Sequence, residues 1–195
     1  MNCYSYFPSL VYRDEKPEWL YLLKKYVSEY SGEVSEQNSF FQTADISEAP
    51  ELKDFSKYIL EESNNILCDQ GYAVDRYDLK INIWAQDVYR GSSTNTHVHK
   101  NSFLCGWMFL DRPERGSYPI YYDPRVRKSM SSPDSVISEN LTESSETCHF
   151  NNVGPGTVLM SSSWLEHSLS INNDDLPTTC LHFVVSGAHK QCNIR

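Results

Sequence analysis

Three histidines carry the chemistry that can be read directly from this sequence. His97 and His99 flank Val98, and on an extended chain residues two apart project from the same face. His167 lies 70 positions beyond His97, after the β-rich stretch GTVLMSSSWLEH. Two imidazoles from one strand end and one from a distant strand are what a metal site inside a small β-barrel needs. A mononuclear redox iron site commonly takes two histidines and one carboxylate on one face of an octahedron, with open positions on the other. Here the near pair is His97-x-His99 and the far ligand is His167, so the expected metal set is three imidazoles.

The bulk properties narrow the class. A chain of 195 residues is expected to form one domain. Hydrophobic content of 39% and aromatic content of 13% suffice for a core, which excludes global disorder. The net charge of −9 argues against a duplex nucleic acid as partner. The basic run Arg125-Val126-Arg127-Lys128 is too short to reverse that. The six cysteines, Cys3, Cys68, Cys105, Cys148, Cys180 and Cys192, are scattered without a C-x-x-C. Of these, Cys68, Cys105 and Cys180 sit in apolar runs and read as small core residues. With no signal peptide and no apolar run approaching the roughly 18 residues of a membrane span, the expected location is cytoplasmic, away from membranes.

The elements that must position the histidines follow from periodicity. Residues 4–12 suggest a first strand interrupted by Pro8. Trp19, Leu22, Leu23, Tyr26, Val27 and Tyr30 recur at helical spacing, predicting a helix over 17–30 that Ser31-Gly32 stops. Ser39–Ile46 reads as a strand. Leu52, Phe55, Ile59 and Ile66 mark the buried stripe of a second helix from about 50 to 70, with Gly71 at its end. Over 78–86, Leu79, Ile81, Ile83 and Ala85 share one face, while Asn82, Trp84 and Gln86 share the other, expected to face the histidines. Further strands are expected at 103–110, 118–123, 157–162, 165–171 and 178–186. Residues 126–149 read as a solvated insertion with one short strand, in place to act as a substrate lid. The expected organisation is a single domain over 1–195. Residues 1–77 form a helical and strand support, 78–187 the β core, and the helices pack on the outside of one sheet. The aromatic-rich first helix also offers a face for a homodimer.

Taken together, Asn82-x-Trp84, His97-x-His99, Asn101-Ser102-x-x-x-Gly106, Asp123-Pro124-Arg125, and Gly156 followed by Ser163-Trp164-Leu165-x-His167 resemble the 2-oxoglutarate/Fe(II) oxygenase family common in marine bacteria and their phages. Order and approximate spacing match in all five blocks, and the resemblance covers roughly residues 78–186. It implies a mainly β fold with flanking helices around a double-stranded β-helix (jelly-roll, cupin-like) core. It implies Fe(II) and 2-oxoglutarate as cofactors, with succinate and carbon dioxide released and a substrate C–H bond oxidised, usually to an alcohol. By this carry-over His97, His99 and His167 are the metal positions, and Asn82, Tyr122 and Arg125 the candidates for binding 2-oxoglutarate.

Two positions depart from the pattern. His99 stands where the wider superfamily has a carboxylate, with Asp123 and Asp87 the nearby acids that could still reach the metal. Thr178 stands where an arginine usually pairs with the outer carboxylate of 2-oxoglutarate, and a threonine cannot replace a bidentate guanidinium. Other residues carry structural readings beside functional ones. His182 reads as a core or barrel-lining histidine, Trp164 and Leu165 as core, and Glu166 as pointing away from His167. Arg125 also reads as a surface ion-pair partner of Asp123 or Glu114. The leading expectation is thus an oxygenase, a hydroxylase acting on an amino acid, a peptidyl residue or a small metabolite. The alternatives are a three-histidine iron dioxygenase that does not use 2-oxoglutarate and a non-catalytic jelly-roll binding protein.

Overall fold

The structure is a computed structural model that describes residues 8–30, 32, 34–37, 40–125, 128, 132–134 and 141–190. Its body is two facing antiparallel sheets. The larger contains β1 (Val11–Glu15), β2 (Val34–Gln37), β3 (Phe40–Thr43), β4 (Tyr77–Val88), β5 (Leu104–Asp111), β8 (Thr157–Ser162) and β10 (Thr178–His189). Its strand order is β1-β8-β5-β10-β4-β3-β2. The smaller holds β6 (Pro119–Tyr122), β7 (Thr147–His149) and β9 (His167–Leu169) in the order β7-β6-β9. An isolated antiparallel bridge between His97 and His167 extends it on the β9 side. From β4 onward the chain crosses repeatedly between the two sheets, with β4, β5, β8 and β10 in the larger and the His97 bridge, β6, β7 and β9 in the smaller, which is the double-stranded β-helix.

Period-two alternation decides which side chains enter the barrel. On the larger sheet, Ile83, Ala85, Leu104, Met108, Leu110, Val158, Met160, Leu181, Phe183 and Val185 face outward and are buried. They are covered by α1 (Leu20–Glu29) through Leu23 and by α2 (Lys53–Asp69) through Phe55, Ile59, Ile66 and Leu67. The residues between them, Val88, Trp107, Phe109, Leu159 and Cys180, meet Tyr121, Leu165 and Leu169 from the opposite side and fill the interior. A strand buried on both faces explains why β5 reads as a continuous apolar run rather than an alternating one.

The sequence boundaries shift modestly. The first helix begins as a 3-10 turn at Pro17–Trp19, because proline is pre-set for a first helical turn. The expected strand at 4–12 begins at Val11, its first residues lying outside the described ones, as does Ser39 of the strand expected at Ser39–Ile46. The insertion carries its short strand, β7, at its end; residues 126–127, 129–131 and 135–140 of the segment expected as a lid lie outside the described residues. Two core expectations are corrected. Trp164 is 52% exposed, because it sits in the turn Ser163–Leu165 and only Leu165 turns inward. Cys68 is exposed, on the solvent side of α2.

Gly106 shows how tightly β5 is held. A Cβ there would lie 2.0 Å from the Leu159 carbonyl oxygen and 2.7 Å from Cζ of Phe183. Backbone occupies one side and a packed ring the other, so no flexible group can yield. Gly106→Ala is expected to destabilise the fold by about 1–3 kcal/mol or more, the range for overpacking a core, seen as a lower denaturant midpoint with an unchanged slope.

Candidate metal centre

The backbone creates the site before any side chain does. The His97 amide donates to the His167 carbonyl at 3.0 Å and the His167 amide returns the bond to His97 at 3.1 Å. Residues joined this way in an antiparallel pair place their side chains on the same face. Next to this bridge, the His99 amide donates to the Ser163 carbonyl at 3.0 Å, so His99 follows His97 along the same edge. The donor atoms of His97, His99 and His167 lie within 4.8 Å of one another. His167 is fully buried, while His97 and His99 are half-buried and form the open side.

Each ring's orientation identifies the nitrogen available to a ligand. His97 Nδ1 lies 2.7 Å from the Asn95 carbonyl, and His167 Nδ1 lies 2.7 Å from the Leu165 carbonyl. A carbonyl only accepts, so both Nδ1 atoms carry the hydrogen, and each neutral ring presents a lone pair at Nε2. This is the arrangement that outer hydrogen bonds impose on metal-binding histidines. His167 Nε2 lies 3.3 Å from His99 Nε2. That contact is a hydrogen bond when His99 carries its hydrogen at Nε2, and a cation between the rings replaces it when all three present lone pairs, so the donor set fits a divalent first-row metal.

Burial favours the neutral form of His99 and His167. It lowers the pKa of His99 to about 4, with the charge of His97 adding to the effect. Burial likewise lowers His167 to about 4, opposed by its bond to the Leu165 carbonyl and assisted by His97 and His99. Neither expected acid reaches the site. Asp87 accepts the Thr179 hydroxyl at 2.6 Å. Asp123 is gripped by Arg125 and Lys128, and the Arg125 guanidinium beside it holds its carboxyl far below the usual range.

The wall of the centre includes residues that spacing did not single out. His182 lies directly across from Trp84 on β4 and from Trp107 on β5. Its ring stacks on Trp84 at 5.8 Å and 24° and tilts over Trp107 at 5.2 Å. It does line the barrel, and its Nε2 comes within 3.2 Å of His99 Nε2. Tyr121 opposes His167 across the β6–β9 ladder and shares its inward face. Its hydroxyl is buried with no hydrogen-bond partner, and burial pushes its pKa upward. Ser161, beside it, is engaged with Cys105 Sγ at 3.9 Å.

The three residues expected to bind 2-oxoglutarate are otherwise engaged. The Asn82 amide donates to Asp45 in a short contact. Tyr122 points to the outer side of β6, where its hydroxyl pairs with Ser168 Oγ at 3.0 Å. Arg125 is exposed and makes a two-nitrogen contact with Asp123 and a further one with Glu143 rather than Glu114. At the departing position, Thr178 Oγ1 accepts the Ser117 amide at 2.8 Å. On the same inward face of β10 and β5, Cys180 and Phe109 are fully buried neighbours.

The depressed histidines give the metal-free protein a defined pH response. In the unfolded chain these rings regain a pKa near 6.5 and take up protons before the folded state does. The stability they provide is complete above that value and is lost as pH falls from about 6.5 towards about 4. The thermal midpoint of the metal-free protein is expected to fall across that window, and His167→Phe should flatten the slope; scanning calorimetry against pH reads both.

Comparisons with known proteins agree with this geometry. Residues 82–183, which are 102 of the 195 or just over half, match the 2OG-Fe(II) oxygenase family. No curated protein matches the sequence. Among solved structures, the chain resembles a Pseudomonas putida prolyl-4-hydroxylase with TM-score 0.64 at 7% identity, covering 94% of each chain. It also resembles the non-heme alpha ketoglutarate dependent carbocyclase SnoK from nogalamycin biosynthesis, with TM-score 0.64 at 12% identity over 93% of this chain and 82% of that one. EvdO2 from Micromonospora carbonacea var. aurantiaca complexed with 2-oxoglutarate gives TM-score 0.58 at 14% identity over 95% and 89%. At these identities the structural likeness speaks for the fold, and the sequence match speaks for the family. The chain belongs to the 2OG-Fe(II) oxygenase family, enzymes that work with Fe(II) and 2-oxoglutarate.

Proposed function

We propose that this protein is an Fe(II)- and 2-oxoglutarate-dependent hydroxylase in which His97, His99 and His167 hold the iron. The observation that carries this is the convergence of three imidazoles, with no carboxylate in the group among the described residues, at the His97–His167 bridge. When bound, iron and 2-oxoglutarate together supply the oxidising chemistry for a substrate C–H bond.

The chain's own residues prepare that site. Asn95 and Leu165 fix the tautomers of two ligands through their carbonyls. Trp107, 5.2 Å from the His167 ring and 2% exposed, closes the inner side against water. The Tyr121 hydroxyl is buried beside Ser161 and makes no hydrogen bond of good geometry there, and such a group gains most from an oxygen-bearing ligand. We assign it, in place of Tyr122, to the 2-oxoglutarate site. The substrate approaches from the half-buried side formed by His97 and His99, where Val98 and Lys100 are exposed. A small molecule or a peptidyl side chain both suit that open edge.

A second reading also has a specific observation behind it. The metal group is all imidazole, and Arg125, the cation expected to bind the anion, is committed to two carboxylates. A three-histidine dioxygenase that takes its substrate directly on iron uses such a site without 2-oxoglutarate.

Aerobic incubation with Fe(II) is expected to convert 2-oxoglutarate to succinate. Absence of turnover, together with no spectral change when 2-oxoglutarate is added to the anaerobic Fe(II) protein, would reject the first reading. Oxygen uptake independent of 2-oxoglutarate would favour the second. His97→Ala should abolish stoichiometric metal binding while leaving the fold intact, as read by metal analysis and circular dichroism. Tyr121→Phe should raise the half-saturating 2-oxoglutarate concentration by about tenfold or more, the value of a hydrogen bond to a charged group, with little change in metal content.

A further inference from the structure

We propose that the aromatic recess beside the metal centre, walled by Tyr72, Tyr77, Phe103 and Trp164 with Arg76 among its lining, is a substrate subsite that takes an apolar or aromatic carboxylic acid. The inference deepens the proposed function and rests on its reading of the metal site. The recess encloses about 380 Å³, within the range of pockets that hold small ligands. Its apolar floor is Leu67 and Val74, 5% and 4% exposed.

One stretch of hydrogen-bonded backbone carries both the recess and a metal ligand. The His99 amide donates to the Ser163 carbonyl at 3.0 Å, and the Ser163 amide donates to the Phe103 carbonyl at 3.0 Å. The Ser102 hydroxyl donates back to the His99 carbonyl at 3.0 Å, and the Ser163 hydroxyl to the Ser102 carbonyl at 2.5 Å. Ser102 and Phe103 line the recess from one segment, and Ser162 and Trp164 from the other. A ligand held between them is therefore fixed relative to His99.

The aromatic rim is not accounted for by the core. Trp164 is 52% exposed and Tyr72 59% exposed. Neither the Trp164 indole N–H nor the Tyr72 hydroxyl has a hydrogen-bond partner among the described residues. Two large rings left in water beside an apolar floor gain buried area when a ring enters between them. The inner wall is already set, because Tyr77 meets Phe103 edge-on at 5.1 Å and lies 4.4 Å from the His189 ring.

Charge selects the kind of ligand. Among the described residues no carboxylate lines this recess, whereas three others on the molecule each include acids, such as Glu61 against α2, Glu114 on the outer face of the smaller sheet and Glu146 beside β7. Arg76 lines it and makes no ion pair among the described residues. Lys190, whose amide donates to the Arg76 carbonyl at 2.9 Å, is exposed next to it, and Lys100 is exposed between His99 and Ser102. Asp78 follows Tyr77 on β4 and so projects to the opposite face of the sheet. In a chain of net charge −9, an acid-free apolar recess with an uncommitted guanidinium favours a carboxylate over an amine.

The test measures binding instead of turnover. Saturation-transfer NMR and calorimetry follow 3-phenylpropionate on the full-length, metal-free protein, with 3-phenylpropylamine as the ligand of like shape and opposite charge. Saturable binding of the acid is expected, at least about tenfold tighter than the amine. Trp164→Ala should abolish it, and Arg76→Gln should weaken it by about tenfold, the value of a hydrogen bond to a charged group; Tyr72→Ser serves if Trp164→Ala does not fold. Paramagnetic Mn(II), once bound to the protein, should broaden the resonances of the bound acid. No saturable binding, or binding unchanged by these substitutions, overturns the subsite. An amine bound as tightly as the acid overturns the carboxylate assignment. Bound Mn(II) that leaves the probe unbroadened overturns its link to the metal centre. Mn(II) that fails to bind while the acid still does overturns the three-histidine reading instead, and leaves the recess as a ligand site.

Discussion

The pair of backbone hydrogen bonds between His97 and His167 is the interaction on which the rest of the structure depends. It joins residues far apart in the chain and adds the His97 segment to the edge of the smaller sheet. Closing so long a loop costs entropy before any contact is gained. The cost is offset collectively by the neighbouring ladders. The larger sheet pairs β10 with β4 along its full length and with β5 over Thr179–Val185, and β6 holds β9 from its other side. The site is precise because the loop is short of freedom at both ends. Ser163 receives the His99 amide, and Thr94 Oγ1 receives the Leu169 amide.

Once the bridge exists, electrostatics decides what the site can be. Burial favours the neutral form of His99 and His167, and among the described residues no acid joins the group. The acids that could have entered are held elsewhere: Asp123 by Arg125 and Lys128, and Asp87 by Thr179. A divalent ion bound by neutral imidazoles keeps its whole charge, whereas a carboxylate ligand would cancel part of it. Such a centre attracts anions more strongly than the usual two-histidine, one-carboxylate site. That gain lies at the same place where Thr178 removes a cation. Its hydroxyl is used to hold the Ser117 amide in the turn after β5, a structural task a guanidinium would perform poorly in so tight a space. A Cβ on neighbouring Gly116 would come 2.5 Å from that same Thr178 oxygen.

What was legible in the sequence follows from what local pattern encodes. Alternation in 78–86 places Trp84 on the inward face, and the register with His182 confirms it. The helical stripes of Leu23, Phe55, Ile59 and Ile66 identify the outer layer because amphipathic spacing survives without knowledge of partners. The same rule does not resolve Tyr121 from Tyr122. In a four-residue strand, period two says that one tyrosine faces in and the other out, and only the pairing of Tyr121 with His167 says which. Asn82 alternates in phase with Trp84, yet it is exposed, and Asp45, from a segment 37 positions earlier, captures its amide. Trp164 reads as core by composition, but a turn residue is placed by backbone geometry before hydrophobicity acts. In each case the deciding contact joins segments distant in sequence.

His182 is the most instructive of these. Alone in a strand of apolar neighbours, a histidine is ordinarily a satisfied barrel residue, and its own strand offers no sign otherwise. The signal was the phase of β10. Thr178, Cys180 and His182 share one face, and that face is the one on which the arginine of the family pattern was sought. On that face Thr178 holds the Ser117 amide, Cys180 packs into the interior apolar cluster, and His182 reaches the histidines. The physical content of the Thr178 departure therefore extends beyond a lost cation. Four residues beyond Thr178 on the same face of β10, the His182 imidazole meets the cluster directly, its Nε2 within 3.2 Å of His99 Nε2.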